Sequence, residues 1–212
     1  MLARKPLTRS QRGFRMKYPS LKLGRMVACE SLLEGDLVIL LELSPEVLSY
    51  QEQPARIQYW DGIQMRDYFP DFEVVLMDGT RIHLEVKHSR KLAKPELARK
   101  YRAIAVHYQR TPIQFRIVTE LECQREPLRS NLQRMNYLRT KKTAESLPSE
   151  AELYRLLGEA SVSLAQLETI LGVETTLRLL ALGLLHCDLS VEITSATLVS
   201  ITEGGRHATI LF

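Results

Sequence analysis

The sequence predicts an α/β domain followed by a smaller, mostly helical domain, and three observations carry that prediction. First, Asp78-Gly79 separates the β-forming runs 72–76 and 81–87, which is the strongest short-range hairpin signal. Second, the periodicities around this hairpin run helix, strand, hairpin, helix, strand, so the last strand is reached by a helical crossover. Third, the charge balance changes sign: residues 1–142 hold 26 Lys and Arg against 16 Asp and Glu, whereas 143–212 hold 3 against 9. The basic part suits a polyphosphate partner, and the acidic part would be repelled by one.

The 45% of hydrophobic residues in a 212-residue chain is enough to build a packed core. Cys29, Cys123 and Cys187 include no CxxC spacing, which argues against a disulfide framework or a structural zinc site and fits a reducing, cytoplasmic setting. The basic N-terminus lacks an apolar signal core. The longest apolar run, 179–185, is too short to cross a bilayer, so no membrane partner is expected.

Along the chain, the first 29 residues contain eight Lys and Arg and no acid. With Phe14, Tyr18 and Pro19 interspersed, residues 1–28 read as a basic arm that tracks a nucleic-acid backbone, with Arg12, Arg15 and Lys17 as DNA contacts. A solvated tail that orders on binding fits the same composition. Residues 29–43 read as an amphipathic helix ended by Ser44-Pro45. Glu34 lies one turn from Leu37 and Val38, beside the apolar stripe, while Glu30, Asp36 and Glu42 compete for the role of a site carboxylate. Residues 47–51 and 56–59 read as strands around Gln51-Glu52-Gln53-Pro54.

The hairpin brings chemistry together. Asp71 precedes one strand, and Glu85 and Lys87 end its antiparallel partner, so the three converge. Mg²⁺ takes carboxylate oxygens, keeps several waters and accepts substrate phosphate. A metal pair can activate the attacking water and stabilise the leaving oxygen, while a lysine orients that water or offsets developing charge. Pro70-Asp71 followed by Glu85-Val86-Lys87 resembles the PD-(D/E)xK nuclease superfamily; a surface hairpin with solvated charges is the alternative.

Beyond the hairpin, residues 88–94 form a basic loop in which His88, Arg90 and Lys91 are candidate DNA contacts. Neither His88 nor His107 has metal-ligand spacing. Pro95 and Glu96 open a helix to about Gln109 that buries Leu97, Tyr101, Ile104, Ala105 and Tyr108, and residues 115–119 form the parallel strand. The basic segment 126–147, with a helix expected at 131–138, either holds a DNA flank or connects domains. Residues 148–212 then read as three short helices, 148–158, 163–172 and 174–185, followed by strands at 191–194 and 197–202, which is a winged-helix plan. Its third helix offers one arginine, Arg178, in an acidic domain, so protein docking is expected there in preference to DNA reading.

Ser31-Leu32-Leu33-Glu34, Ser44-Pro45-Glu46-Val47, Tyr50-Gln51-Glu52-Gln53-Pro54, Pro70-Asp71-Phe72 and Glu85-Val86-Lys87, in this order and spacing, resemble the TnsA family, the endonuclease subunits of heteromeric transposases. The resemblance implies a restriction-endonuclease-like core over residues 29–125. It makes Glu34, Asp71 and Glu85 the metal-facing carboxylates and Lys87 the catalytic lysine, with two Mg²⁺ ions for which Mn²⁺ can substitute. It also implies cleavage of the 5′ strands at transposon ends, beside a DDE transposase, TnsB, and an AAA+ ATPase, TnsC, engaged through the C-terminal domain. Gln53 is open between binding phosphate, supporting Asp71 and shaping a turn. Two other classes stay in view: a stand-alone nuclease of the same superfamily, such as a restriction enzyme or junction resolvase, and a non-catalytic DNA-bridging adaptor.

Overall fold

The computed structural model describes residues 16–140, 147–158 and 160–201. They fall into two compact units, one of residues 16–42 and 46–124, the other of residues 43–45 and 125–201. Arg12 and Arg15 lie outside the described residues, as do most of the arm expected at 1–28, part of the basic segment 126–147 and the last residue of the strand expected at 197–202.

The first unit is mixed α/β. Residues 16–29, expected within a basic arm, instead pair as strands β1 (Met16–Ser20) and β2 (Arg25–Cys29), turning through Gly24 at φ 63°. Their alternation buries Tyr18 and Ser20 on one strand and Val27 and Cys29 on the other. The hairpin covers helix α1 (Leu32–Leu43), where Met16 packs so closely on Gly35 that a Cβ there would displace it. The helix is therefore buried nearly all round, whereas an amphipathic one was expected.

Two basic residues of the expected arm serve the fold. The Lys22 ammonium donates to the Leu41 and Val47 carbonyls at 2.9 and 2.7 Å, and Arg25 makes a bidentate pair with Glu52 at 2.9 and 2.7 Å. Glu42, buried at the end of α1, accepts from Ser20 Oγ, Tyr50 OH and the Lys22 backbone N–H. A buried carboxylate with three donors is satisfied.

Strand β3 (Val47–Glu52) begins a four-stranded sheet of order β3-β6-β7-β8, with β6 (Phe72–Leu76), β7 (Arg81–Val86) and β8 (Gln114–Val118). The β3–β6 and β6–β7 pairs are antiparallel and β7–β8 is parallel, so the sheet is mixed. Between β3 and β6 the chain makes a separate hairpin, β4 (Ile57–Trp60) with β5 (Met65–Tyr68); the sequence signalled only its first strand. The β6–β7 turn has Gly79 at φ 86°, a conformation costly for any residue with a Cβ.

Helix α2 (Ser89–Leu92) occupies part of the expected basic loop, and α3 (Pro95–Tyr108), with Pro95 at its start, makes the crossover. Tyr101, Ile104 and Tyr108 from α3 join Tyr59 and Tyr68 in a tyrosine-rich core, against which Phe115 stacks on Tyr108 at 5.0 Å. The unit closes with α4 (Glu120–Cys123), capped by Thr119.

The second unit contains α5 (Leu128–Thr140), α6 (Glu150–Leu157), α7 (Leu164–Leu171), α8 (Val173–Ala181) and the short strands β9 (Val162–Ser163) and β10 (Leu198–Val199). Capping boxes at Ser149 and Ser163 fix the starts of α6 and α7. The expected third helix to residue 185 stops at Ala181, because Gly183 at φ 74° folds the chain back and the Leu184 N–H donates to the Leu179 carbonyl.

Among the described residues, 191–194 and 197–201 do not pair as the expected hairpin. The Asn131 amide takes the Leu189 and Val191 carbonyls at 2.9 and 2.8 Å, and the Ser195 and Thr197 carbonyls accept the first N–H groups of α7. With those backbone groups committed, β10 pairs with β9 instead.

The left-handed turn at Gly79 yields a test. Replacing Gly79 by Ala should destabilise the protein by about 1–2 kcal/mol, read as a lower urea midpoint at unchanged m-value. The added Cβ meets nothing within 4 Å, so an unchanged midpoint would show that the turn does not require φ > 0.

Candidate active site

The register of β6 and β7 builds the site. Phe72 pairs with Leu84, so the next step outward sets Asp71 across from Glu85. Asp71 Oδ2 accepts the Val86 N–H at 2.7 Å, locking its carboxylate against β7. Lys87, just past the strand, reaches back to place Nζ 3.0 Å from Glu85 Oε1. Glu34, from the first turn of α1, acts electrostatically on both Asp71 and Lys87. The structure thus brings Asp71, Glu85 and Lys87 to one edge of the sheet, with Glu34 in electrostatic range of Asp71 and Lys87.

Each is held by a distinct local device. The Glu34 carboxylate accepts the Glu30 N–H at 2.7 Å and Ser31 Oγ at 2.9 Å, while its own N–H donates to Ser31 Oγ at 3.1 Å. This is close to a capping box, and the Ser-x-x-Glu pattern at residues 31–34 is the sequence signal that separates Glu34 from its competitors. Of those, Asp36 is buried on the Gln124 amide at 2.6 Å, Glu42 is used in the fold, and Glu30 receives the Gln53 amide at 3.3 Å.

Glu85, only 4% exposed, accepts Tyr68 OH at 2.7 Å on Oε2 and Tyr101 OH at 2.6 Å on Oε1. From the sequence Tyr101 belongs to a packing stripe, and Tyr68 has no signal of a role. No short motif marks them as carboxylate partners, since their positions depend on the packing of β5 and α3. The Lys100 ammonium lies 5.4 Å from the Tyr68 ring centre and 5.2 Å from that of Tyr101.

The remaining candidates spread around this centre. The Gln53 N–H donates to the Asp71 carbonyl at 2.8 Å, and Gln53 has a positive φ of 43°, so its backbone both supports Asp71 and shapes a strained turn. His88 Nδ1 lies 3.3 Å from Glu120 Oε2. Arg90 and Lys91 are exposed on α2, directly after Lys87. Lys17 is exposed on β1.

Electrostatically the centre is over-acidic. Burial, followed by the charge of Glu85, pushes the Asp71 carboxyl up to about 8, with Glu34 adding to it and the Val86 N–H opposing. Burial also raises Glu34, against its two hydrogen bonds. For Lys87, burial disfavours the ammonium, yet Glu85, Asp71 and Glu34 outweigh it and hold the group above its ordinary value.

A hard divalent cation fits this donor chemistry. Among the described residues no group of three or more His, Cys, Asp or Glu is arranged so that it could hold a metal ion. Mg²⁺ does not require one, since it binds through one or two carboxylates and fills its shell with water and phosphate oxygens. The cost of ionising Asp71 is what such a cation would relieve.

Residues 44–120 match the family model described as TnsA-like endonuclease N terminal. That span contains Asp71, Glu85, Lys87 and both tyrosines, whereas Glu34 precedes it. A comparison with curated proteins gives no match.

The raised Asp71 pKa sets a sign for stability. A carboxyl with a folded value of about 8 against an ordinary 3.8 contributes stability that is complete below pH 3.8 and lost as pH rises through 8. Asp71→Asn, whose oxygen can still accept the Val86 N–H, should therefore stabilise the metal-free protein by at least about 1 kcal/mol at pH 8. The gain should vanish near pH 4 in thermal melts, and a destabilised variant at pH 8 would contradict the electrostatic account. Residues 44–120, which include Asp71, Glu85 and Lys87, are thus a TnsA-like endonuclease N-terminal domain by their match to that family model.

Proposed function

We propose that this protein is the metal-dependent endonuclease subunit of a multi-component transposase, cutting the 5′ strands at transposon ends while a DDE-type transposase processes the 3′ ends. The observation that carries this reading is the convergence of Asp71, Glu85 and Lys87 at one end of the β6–β7 hairpin, inside the span that matches a TnsA-like endonuclease domain, with Glu34 of α1 in electrostatic range. The mixed sheet β3-β6-β7-β8, with a crossover helix and carboxylates at a strand end, supports assigning the fold to the restriction-endonuclease-like group.

In this proposal Asp71, Glu34 and Glu85 face the cation, Mg²⁺ or in its place Mn²⁺. When bound, the ion supplies Lewis-acid stabilisation of the phosphate and a more acidic water. The chain's own residues do the rest. Lys87, held protonated by its carboxylate neighbours, orients the attacking water and offsets charge on the reacting phosphate, and it is poorly suited to take a proton. Tyr68 and Tyr101 fix the Glu85 carboxylate, which in turn positions Lys87. Arg90 and Lys91, with His88 and Gln53 nearby in sequence or contact, are the proposed contacts to the DNA backbone, joined by Lys17 and by Arg12 and Arg15.

The second unit is proposed to dock the transposition ATPase. The acidic balance of residues 143–212 and the single arginine of α8, Arg178, support protein docking over DNA reading. Among the described residues, no helix is long and apolar enough to cross a membrane.

The test is strand-specific nicking of transposon-end DNA with Mg²⁺, with and without the partner transposase and ATPase. Asp71→Ala and Lys87→Ala should each lower the 5′ nicking rate by at least about 100-fold while leaving the fold and partner binding intact. With 3′ processing preserved, simple insertions should become cointegrates. Wild-type rates in both variants would refute the assignment of the site, and equal cleavage of unrelated duplex without partners would favour a stand-alone nuclease. Tyr68→Phe with Tyr101→Phe should lower kcat by about 10-fold or more with little change in KM. Unchanged kcat would show that Glu85 needs no such support.

A further inference from the structure

Outside the carboxylate cluster, the first unit carries a cavity of about 730 Å³ between the β4–β5 hairpin and α3. Its apolar lining is Trp60 and Met65 from the hairpin with Ala103 and Val106 from the helix. Trp60, Met65 and Val106 are 57%, 54% and 46% exposed, and Ile63 at the hairpin tip is 82% exposed. Large apolar side chains left open in one concave place mark an interaction site more than scattered surface residues do.

The charge around this lining has one sign. Arg99, Arg102 and Arg110 all line the cavity, and none forms an ion pair among the described residues. Asp61, its one acidic lining residue, is already committed: Oδ2 takes Arg66 Nε at 2.7 Å and Oδ1 takes the Ile63 and Gln64 N–H groups. On α3 the positions 99, 102, 103 and 106 share a helical face, opposite the one that buries Tyr101, Ile104 and Tyr108.

We propose that this groove binds an acidic, amphipathic segment of a partner protein, with bulky apolar side chains entering between Trp60, Met65 and Val106 and carboxylates meeting Arg99, Arg102 and Arg110. Tryptophan, methionine and arginine are the residues enriched where proteins meet. A helix laid in a groove supplies apolar anchors at i, i+3 or i+4 and i+7 with charges beside them. Duplex DNA presents no apolar protrusion to fill such a cavity, and its own interfaces are far more polar. The inference does not depend on the nuclease reading, because no residue of the carboxylate cluster lines the groove.

The sole tryptophan of the chain stands on this groove, so its fluorescence reports occupancy directly. Full-length protein would be titrated with an 18-residue helical peptide carrying Leu and Phe at i, i+4 and i+7 and Glu elsewhere, with its Glu→Lys counterpart, and with a 20-base-pair duplex. The acidic peptide should blue-shift the Trp60 emission saturably. Its Kd should rise at least tenfold in Arg102→Glu/Arg110→Glu and in Val106→Asp, both checked for an unchanged melting temperature. The lysine peptide and the duplex should leave the emission unchanged. A shift with duplex and none with the acidic peptide would reassign the groove to nucleic acid and overturn the proposal. Equal response to both peptides, or none to either, would also overturn it.

Discussion

The site depends on the pairing register of one hairpin. Because Phe72 stands opposite Leu84, Asp71 and Glu85 meet at the same edge, and Lys87 follows within reach of both. A slip by one residue would turn every side chain of β7 to the other face and disperse the cluster. The register is secured from both ends: Gly79 closes the turn, and the Val86 N–H fastens Asp71 at the far end. On either side, β3 and β8 hold the hairpin in the interior of the sheet, where β7 is buried from Ile82 to Val86.

This register forces like charges together, and the surroundings only partly relieve them. Glu85 is stabilised by two phenolic hydroxyls and one ammonium, Glu34 by the start of a helix, and Asp71 by a single backbone N–H. The least supported of the three, Asp71, is the one whose ionisation burial and Glu85 resist. A group left strained in the folded protein is characteristic of a site shaped for a ligand rather than for stability. The same charges act favourably on Lys87, so one field disfavours the carboxylates and maintains the ammonium that a phosphodiester reaction needs.

The central architecture was legible because local signals carry it. Asp78-Gly79 fixes the hairpin, Pro95 the start of the crossover helix, and the positions of Asp71, Glu85 and Lys87 follow from strand geometry. The departures have particular causes. A run of basic residues at the N-terminus hid a hairpin, because Lys22 and Arg25 are used internally against carbonyls and Glu52. Tyr68 and Tyr101 were invisible as carboxylate partners because two separate elements must pack before they meet at Glu85. At the C-terminus the alternating residues looked like a hairpin, but their backbone groups serve Asn131 and the start of α7. Gly183, a readable helix stop, shortens α8.

Burial and the charge of Glu85 disfavour ionisation of Asp71, and we propose that a divalent cation reverses this. Calorimetric titration of Mg²⁺ into the wild-type protein at pH 7.5, repeated in buffers of different ionisation enthalpy, counts the protons released on binding. The account predicts measurable binding with net proton release that disappears in Asp71→Asn. Binding of equal strength in that variant, or binding by the wild type without proton release, would contradict it.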